Sequence, residues 1–424
     1  MRYCLRCGYP ENHPLFITFD DQGVCSGCRV HEEKDQLDWE ERGRKLAAIF
    51  DTFRSETGEN YDCIVPVSGA RDSHFIIHTV KNMYGMNPLL VSYNRHFNTE
   101  RGIRNLAYLR TLLDGDHMQM VLNPDTVRRV TRETIRRLGS MYWHVLAGQT
   151  VFPVQTAVRF KIPLIVWGAH QGLDQVGMFS HTDEVEMTRK YRLEHDLMGC
   201  EAEDLVDGTE NLTEDEMLPF AYPQDREISE VGVRGIYLGN YIRWDSKAQH
   251  EAMLDLYGYE TAQMARTFDT YNDVDCQHYA GLHDQVKFRK WGYGKALDHA
   301  ARELRLGRLS RTGVIDMSAQ YQNVEPPDRD GFLEWVGMDS NEFDACIDQF
   351  RDSRIWKKDS GGNWALKDCL ENHRNDPGID DAALDKIEDC QFRITDSKDP
   401  GADETAYKLL TKGYVPEAHS KYDR

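Results

Sequence analysis

Between Asp62 and Leu238 the chain repeats one pattern: a short apolar run, a turn, then a stretch with helical periodicity. Asp62–Ser68 (DCIVPVS) reads as a buried strand entering a glycine-containing turn, and residues 72–84 follow as a helix. Pro88–Tyr93 (PLLVSY), His117–Leu122 (HMQMVL) and Ile162–Trp167 (IPLIVW) read as further strands, with Gly235–Leu238 as a fifth candidate. Gly102–Leu113 and Thr126–Leu138 read as helices between them. Short apolar strands alternating with helices predict βαβ units, right-handed crossovers and a parallel sheet.

Three regions follow from this. Residues 1–35 form a small cysteine-bearing module. Residues 36–245 hold a helical connector and the α/β domain. Residues 246–424 read as helical to the end, with about the last 50 residues polar and tail-like. The 424 residues carry 51 Lys and Arg against 71 Asp and Glu, a formal charge of −20. That excess argues against sequence-independent nucleic-acid binding, where cations must neutralise phosphates. No apolar run approaches the ~18 residues of a membrane span. The opening MRYCLRCGYP is polar, without the apolar core of a signal peptide. A reducing, cytoplasmic setting is therefore expected for the ten cysteines. Residues 201–216 carry eight acids and no Lys or Arg, and read as a solvated excursion or a lid. Arg128, Arg129, Arg132, Arg136 and Arg137 lie on one helix, either paired with acids or presented to a partner.

Cys4-x2-Cys7 and Cys25-x2-Cys28 are separated by seventeen residues. Four thiolates on two tight turns suit a tetrahedral Zn²⁺ in a closed, structural site, with iron–sulfur or redox pairs as the alternatives. Gly8, Gly23 and Gly27 supply the backbone freedom such turns need. His13 and His31 are possible substitutes for one thiol but read better as ordinary histidines. So small a module has to draw folding energy from its metal.

Ser68-Gly69-Ala70-Arg71-Asp72-Ser73 follows the first strand and opens a helix. Backbone N–H groups at such a turn can form an anion nest, and the helix start adds partial positive charge. Ser68 and Ser73 offer hydroxyls, and Arg71 a charge-assisted bond to a phosphate oxygen. Asp72 can cap the helix or hold Mg²⁺. The bland alternative is a Ser/Gly turn with an ordinary cap. Residues 283–306 are rich in cations, including Lys287, Arg289, Lys290, Lys295, Arg302 and Arg305. They form either a solvated face or a site for a diphosphate.

The hexapeptide resembles the SGGxDS loop of the PP-loop ATP pyrophosphatases, which cleave ATP between the α and β phosphates. It departs at Ala70, where that family has Gly. A methyl there is comfortable only at negative φ. The resemblance implies that Ser68, Gly69, Ala70 and Ser73 bind ATP, with Asn94 on the adenosine side. It also places Gly168, His170 and Asp174 at a second nucleotide-side motif, although His170 reads equally as a loop histidine.

A narrower resemblance covers residues 1 to about 315. YCLRC…FDDQGVCSGCR stands directly before the loop, followed by Tyr237-Leu-Gly-Asn-Tyr-Ile-Arg-Trp-Asp245 and by the stretch His283 to Arg308. Together they resemble the N-acetyl sugar amidotransferases of surface-polysaccharide (LPS O-antigen) biosynthesis. This implies an α/β, HUP-like PP-loop domain, a zinc-ribbon-like N-terminal module and a mainly helical C-terminal region. It implies ATP, Mg²⁺ and Zn²⁺ as cofactors and a nucleotide-linked N-acetyl sugar as substrate, its amide becoming an acetamidino group. Asp72, Arg71, Lys290 and His299 are the expected catalytic residues, and Tyr293, Lys287 and Lys295 the expected substrate contacts. No glutaminase signature is present, so ammonia is expected from partner glutaminase and synthase-like subunits. No nucleic acid and no membrane insertion are expected. The rival readings are a PP-loop tRNA thiolase and a nonenzymatic zinc-ribbon scaffold.

Overall fold

The computed structural model describes residues 1–70, 72–379 and 390–396. All five expected strands form. They are β1 (Cys63–Pro66), β2 (Pro88–Tyr93), β3 (Asp116–Met120), β4 (Leu164–Trp167) and β5 (Arg234–Tyr237). They pair in parallel in the order β3-β2-β1-β4-β5. β1 therefore lies between β2 and β4, and the chain reverses its direction of travel across the sheet there. Such a reversal opens a crevice at the carboxyl ends of the strands.

Strand alternation divides the apolar residues between the two faces. Ile64, Leu89, Val91 and Ile165 pack with Phe152, Val154 and Ala157 of helix α6 (Trp143–Phe160). Cys63, Val65, Leu90, Leu164 and Val166 pack on the other face. There they meet Leu46 and Phe50 of α2 (Trp39–Phe53), Ile76 and Ile77 of α3 (Ser73–Ile77) and Leu109 of α4 (Glu100–Thr111). A sheet buried on both faces explains why its strands read as near-continuous apolar runs. α3 passes into a π-helical turn over His78–Met83, where a plain helix to residue 84 is expected. α6 is missing from the sequence reading because its buried positions run almost all round it and Pro153 interrupts it.

The basic helix is α5 (Pro124–Leu138), and its partners are intramolecular. Arg129 pairs with Glu216, and Arg132 and Arg136 with Glu210. Arg136 also reaches Glu342 at 2.8 Å. The acidic stretch 201–216 is thus pinned to α5 rather than free. Glu201 is held at 2.6 Å by the buried Arg192.

The C-terminal region begins with α7 (Ser246–Tyr257), α8 (Leu282–Trp291) and α9 (Lys295–Arg305). It continues with α10 (Arg311–Gln322), α11 (Arg329–Val336) and α12 (Ser340–Asp348). It is not helical throughout. β6 (Trp356–Lys358) and β7 (Trp364–Leu366) form an antiparallel hairpin. Asp359 closes its turn by accepting from the N–H groups of Gly361 and Asn363, and Gly362 takes φ +83°. The expected tail beyond residue 396 lies outside the described residues. The N-terminal module shares its core with this region: Tyr3, Tyr9, Ile17 and Val24 pack with Tyr293, Leu297, Leu304, Ile315 and Leu370. Among the described residues no helix is long and apolar enough to cross a membrane.

Candidate active site

Cys4, Cys7, Cys25 and Cys28 are buried, and their sulfur atoms lie within 4.8 Å of one another. The Sγ atoms of Cys7 and Cys25 are 3.5 Å apart. Four sulfurs about 2.3 Å from one tetrahedral ion stand about 3.8 Å apart, so the set fits such an ion closely. The N–H groups of Cys7 and Cys25 donate to Cys4 Sγ at 3.4 and 3.3 Å, bonds that favour a thiolate. The site is closed by its four sulfurs. His13 and His31 are buried outside the set, and burial pushes both imidazoles down to about 3.

The Ser68–Ser73 turn sits at the carboxyl end of β1, at the reversal point of the sheet. Ser68 N–H donates to Ser73 Oγ at 2.9 Å, and Ala70 N–H donates to Ser68 Oγ at 3.2 Å. The two hydroxyls therefore shape the turn, and both residues line a cavity. Ala70 is fully buried and is not among the residues at positive φ, so its methyl causes no backbone strain. Arg71 lies outside the described residues. Asp72 occupies the N-cap of α3 without a side-chain cap bond. Its Oδ1 accepts from Ser246 Oγ at 3.4 Å.

Three cavities meet at this turn. One lies over β2 and β3 and is lined by Ser68, Gly69, Asn94, Arg95, Gly102 and Asp275, among others. A second lies between β1 and β4 and includes Ser68, Asp72, Ser73, Arg95, Trp167 and Gly168. The third, of about 230 Å³, is walled by the C-terminal helices and the N-terminal module. Asp72, Asp174, Trp244, Ser246, Asp273 and Tyr279 line it, with Lys295, Asp298, His299, Arg302 and Arg305. Asp72 and Ala169 line both the second and the third cavity.

The sequence-predicted residues divide accordingly. Ser68, Gly69, Ser73, Asn94, Gly168, Asp72, Asp174, Lys295 and His299 all line one of these cavities. Asp174 is already paired with Lys34, which holds its carboxyl below the usual range despite burial. Lys295 Nζ lies 2.7 Å from Asp273 and 3.4 Å over the Tyr279 ring. His299 Nδ1 and Thr267 Oγ1 are 2.7 Å apart, and burial pushes the ring down to about 4. His299 is thus neutral near pH 7.

Lys290, Lys287, Tyr293 and His170 are placed elsewhere. Lys290 Nζ donates to the Leu138 and Gly139 carbonyls at 3.1 and 3.3 Å, bracing the end of α5. Burial pushes its ammonium down to about 8. Lys287 is ion-paired with Asp298 and lies 4.4 Å over the Tyr293 ring. Tyr293 itself is packed into the module's core. His170 is enclosed by Phe179, Tyr191 and Tyr237, with neither ring nitrogen hydrogen-bonded, and burial pushes it down to about 4. The basic stretch is largely compensated from within. Arg289 meets Asp344 and Asp348, Arg302 meets Asp269 and Glu303, and Arg308 meets Asp245 and Glu303.

Residues 265–370 match the family model described as "LPS biosynthesis protein WbpG-like, C-terminal domain". This WbpG-like segment supplies half of the third cavity's wall, from Asn272 to Arg305. The match bears out the resemblance to LPS-biosynthesis proteins read from the cysteine module, Tyr237–Asp245 and the 283–308 stretch together, and it covers the last of the three. Among solved structures, the chain is similar to NMN synthetase from Francisella tularensis at 12% identity and a TM-score of 0.27. That similarity covers 46% of this chain and 93% of the other. No curated protein matches the chain.

Three contributors escape sequence reasoning. A Cβ on Gly69 would lie 1.9 Å from the Gly102 carbonyl oxygen, and one on Gly102 would lie 2.4 Å from the Asp275 Cα. The turn, the start of α4 and the WbpG-like segment thus stack backbone on backbone. Asp275 accepts from the buried Arg95 at 2.9 Å, and Arg95 lines two of the cavities. Gly102 carries a weak signal, a glycine one turn into a helix. The pairing of Arg95 with Asp275 spans 180 residues and carries none.

Proposed function

We propose that the chain is an ATP-dependent, AMP-forming enzyme of LPS or related surface-glycan biosynthesis. On this reading it converts the N-acetyl group of a nucleotide-linked sugar into an acetamidino group. The observation that carries the reading is one of place: the phosphate-type turn and the WbpG-like segment meet, and Asp72 lines the cavities on both sides. ATP would lie over the carboxyl ends of β1, β2 and β4, where open parallel sheets take nucleotides. The sugar would enter the third cavity from the opposite side.

The substrate's amide oxygen attacks the α-phosphate of ATP and pyrophosphate leaves. Ammonia then adds to the activated carbon, and AMP departs with the original amide oxygen. Neither step needs a side-chain nucleophile. Both need alignment and preorganised charge. The Ser68–Ser73 turn holds the leaving pyrophosphate, and Asn94 and Gly168 border the nucleotide. Mg²⁺, when bound, would offset the charge building on the phosphates, and Asp72 would be the carboxylate to hold it. His299, neutral and fixed by Thr267, offers the sugar a hydrogen-bonding group, and Lys295 a positive edge. The four-cysteine set would hold zinc in a structural role, in a chain none of whose ten cysteines is disulfide-bonded. Ammonia comes from a separate glutaminase with a synthase-like partner, or from free ammonium in vitro.

The deciding experiment supplies purified protein with ATP, Mg²⁺, ammonium and a panel of UDP-linked acetamido sugars, resolving AMP, ADP and sugar mass. AMP together with a sugar in which NH has replaced the acetamido oxygen is the expected result. ADP in place of AMP would overturn the phosphate-loop assignment. AMP formation that requires tRNA rather than sugar would overturn the substrate.

A further inference from the structure

The four-cysteine module is not an appendage. Tyr9 leaves the first knuckle two residues after Cys7 and is fully buried. Its hydroxyl donates to Asp298 Oδ1 at 3.0 Å and accepts from Gln175 Nε2 at 3.1 Å. Tyr9, Asp298 and Gln175 all line the third cavity. One phenol therefore ties together a wall residue from the WbpG-like segment and another from the loop after β4.

Arg305 makes the second tie. Its Nη2 lies 3.7 Å from the sulfurs of both Cys7 and Cys25. Its Nη1 donates to the carbonyls of Gln175 and Asp174 at 2.6 and 3.3 Å. Gly27, inside the second knuckle, leaves the necessary room: a Cβ there would lie 2.4 Å from Arg305 Nη2 and 2.6 Å from the Gln175 carbonyl. Ser26 Oγ donates to the Val176 carbonyl at 2.6 Å. A thiolate cluster set against a guanidinium, both bonded to one short loop, carries the knuckle geometry directly into that loop.

We infer that Tyr9 is a positioning residue of the substrate cavity: its hydroxyl orients Asp298 and Gln175 toward the polar groups of the bound acceptor. Arg305 holds the same wall to the cysteine cluster. The inference rests on the proposed function only in taking the third cavity as the acceptor's site. A specificity wall built from a metal knuckle also explains why that module stands at the cavity rather than outside it.

The test is Tyr9→Phe in the full-length chain, which keeps the ring and removes the two hydrogen bonds. Metal analysis and thermal melting first establish that the variant keeps its zinc and its fold. Hydrogen exchange, without any substrate, then reads residues 171–177. Exchange there should quicken about fivefold, as loss of the part-buried hydrogen bond from Gln175 predicts, while α10 is unchanged. In the same protein, KM for a UDP-linked N-acetyl sugar should rise about tenfold with kcat within about threefold, the pattern of lost acceptor binding. Unchanged exchange at 171–177 in a zinc-loaded variant would overturn the inference. So would an unchanged KM in a wild-type background that turns the sugar over. Should the wild-type chain bind no sugar, the functional reading fails and the exchange result still decides the wall. Arg305→Lys, which keeps charge but not the fork, serves as the second variant. It should quicken exchange in the same segment, and no change there counts against the inference.

Discussion

At the scale of single residues, charged groups divide into those that face a cavity and those that hold the frame. Asp72 is of the first kind. Asp72→Asn should lower AMP formation by about 10²–10³-fold, the usual cost of losing one preorganised charge at a phosphoryl site. Its melting temperature should stay within about 2 °C of wild type, since the amide oxygen can still accept from Ser246 Oγ. Lys290 is of the second kind, although its place in a basic run suggests catalysis. Lys290→Met should leave AMP formation intact. Its signature is in stability against pH. The folded ammonium titrates near 8 and the unfolded one near its ordinary value of about 10.4. Between those values the unfolded chain binds a proton that the folded chain has released, so wild-type stability rises with pH across that window. Urea unfolding at pH 7.5 and 9.5 should show the rise in wild type and its absence in the variant. The amino acids around Lys290 cannot reveal this role, because its partners are two backbone carbonyls at the end of a helix 150 residues earlier.

At the scale of elements, the parallel strands were legible because each is short, apolar and bounded by turn residues. The reversal at β1 was not, since strand order depends on which crossover runs which way. α6 stayed hidden because burial on nearly all sides erases a helical period. The acidic excursion and the basic α5 are each ambiguous alone, and pairing them settles both. Glu210 joins them, with a side chain only 10% exposed between Arg132 and Arg136. Glu210→Gln should leave two guanidiniums poorly neutralised and release the 201–216 stretch. Limited proteolysis should then cut within 201–216 about tenfold faster, while AMP formation stays unchanged, because the excursion does not line the cavities around Asp72. The cysteine knuckles were the most legible part of the site, since their spacing alone points to a metal, whereas the phosphate-type turn needed its likeness to the SGGxDS loop as well. The contacts among Tyr9, Arg305, Asp275 and Arg95 join points far apart in the chain and leave no local pattern.

At the scale of the whole molecule, the histidines set an acid limit. Burial holds His13, His31, His74, His144 and His283 near 3, and His117, His170 and His299 near 4. In the unfolded chain each takes its proton near 6.5. From about pH 6.5 down to 4 the unfolded state therefore binds more protons, and stability must fall as pH falls. A melting-temperature profile should be near level from pH 7 to 8 and drop steeply below 6.5. A level profile down to pH 4.5 would contradict the burial of these rings. The shared core of the module and α9 has a consequence for how the protein is made. The four thiols are made long before the residues they pack beside: Tyr9 and Ile17 find their packing partners only when Tyr293, Ile315 and Leu370 have been synthesised. At about 5–20 residues per second that interval is tens of seconds. Through it the module waits, its knuckles unsupported and its thiols open to oxidants, for the C-terminal helices to arrive. Cellular redox state during translation therefore bears on the yield of active protein more than it does on the finished fold.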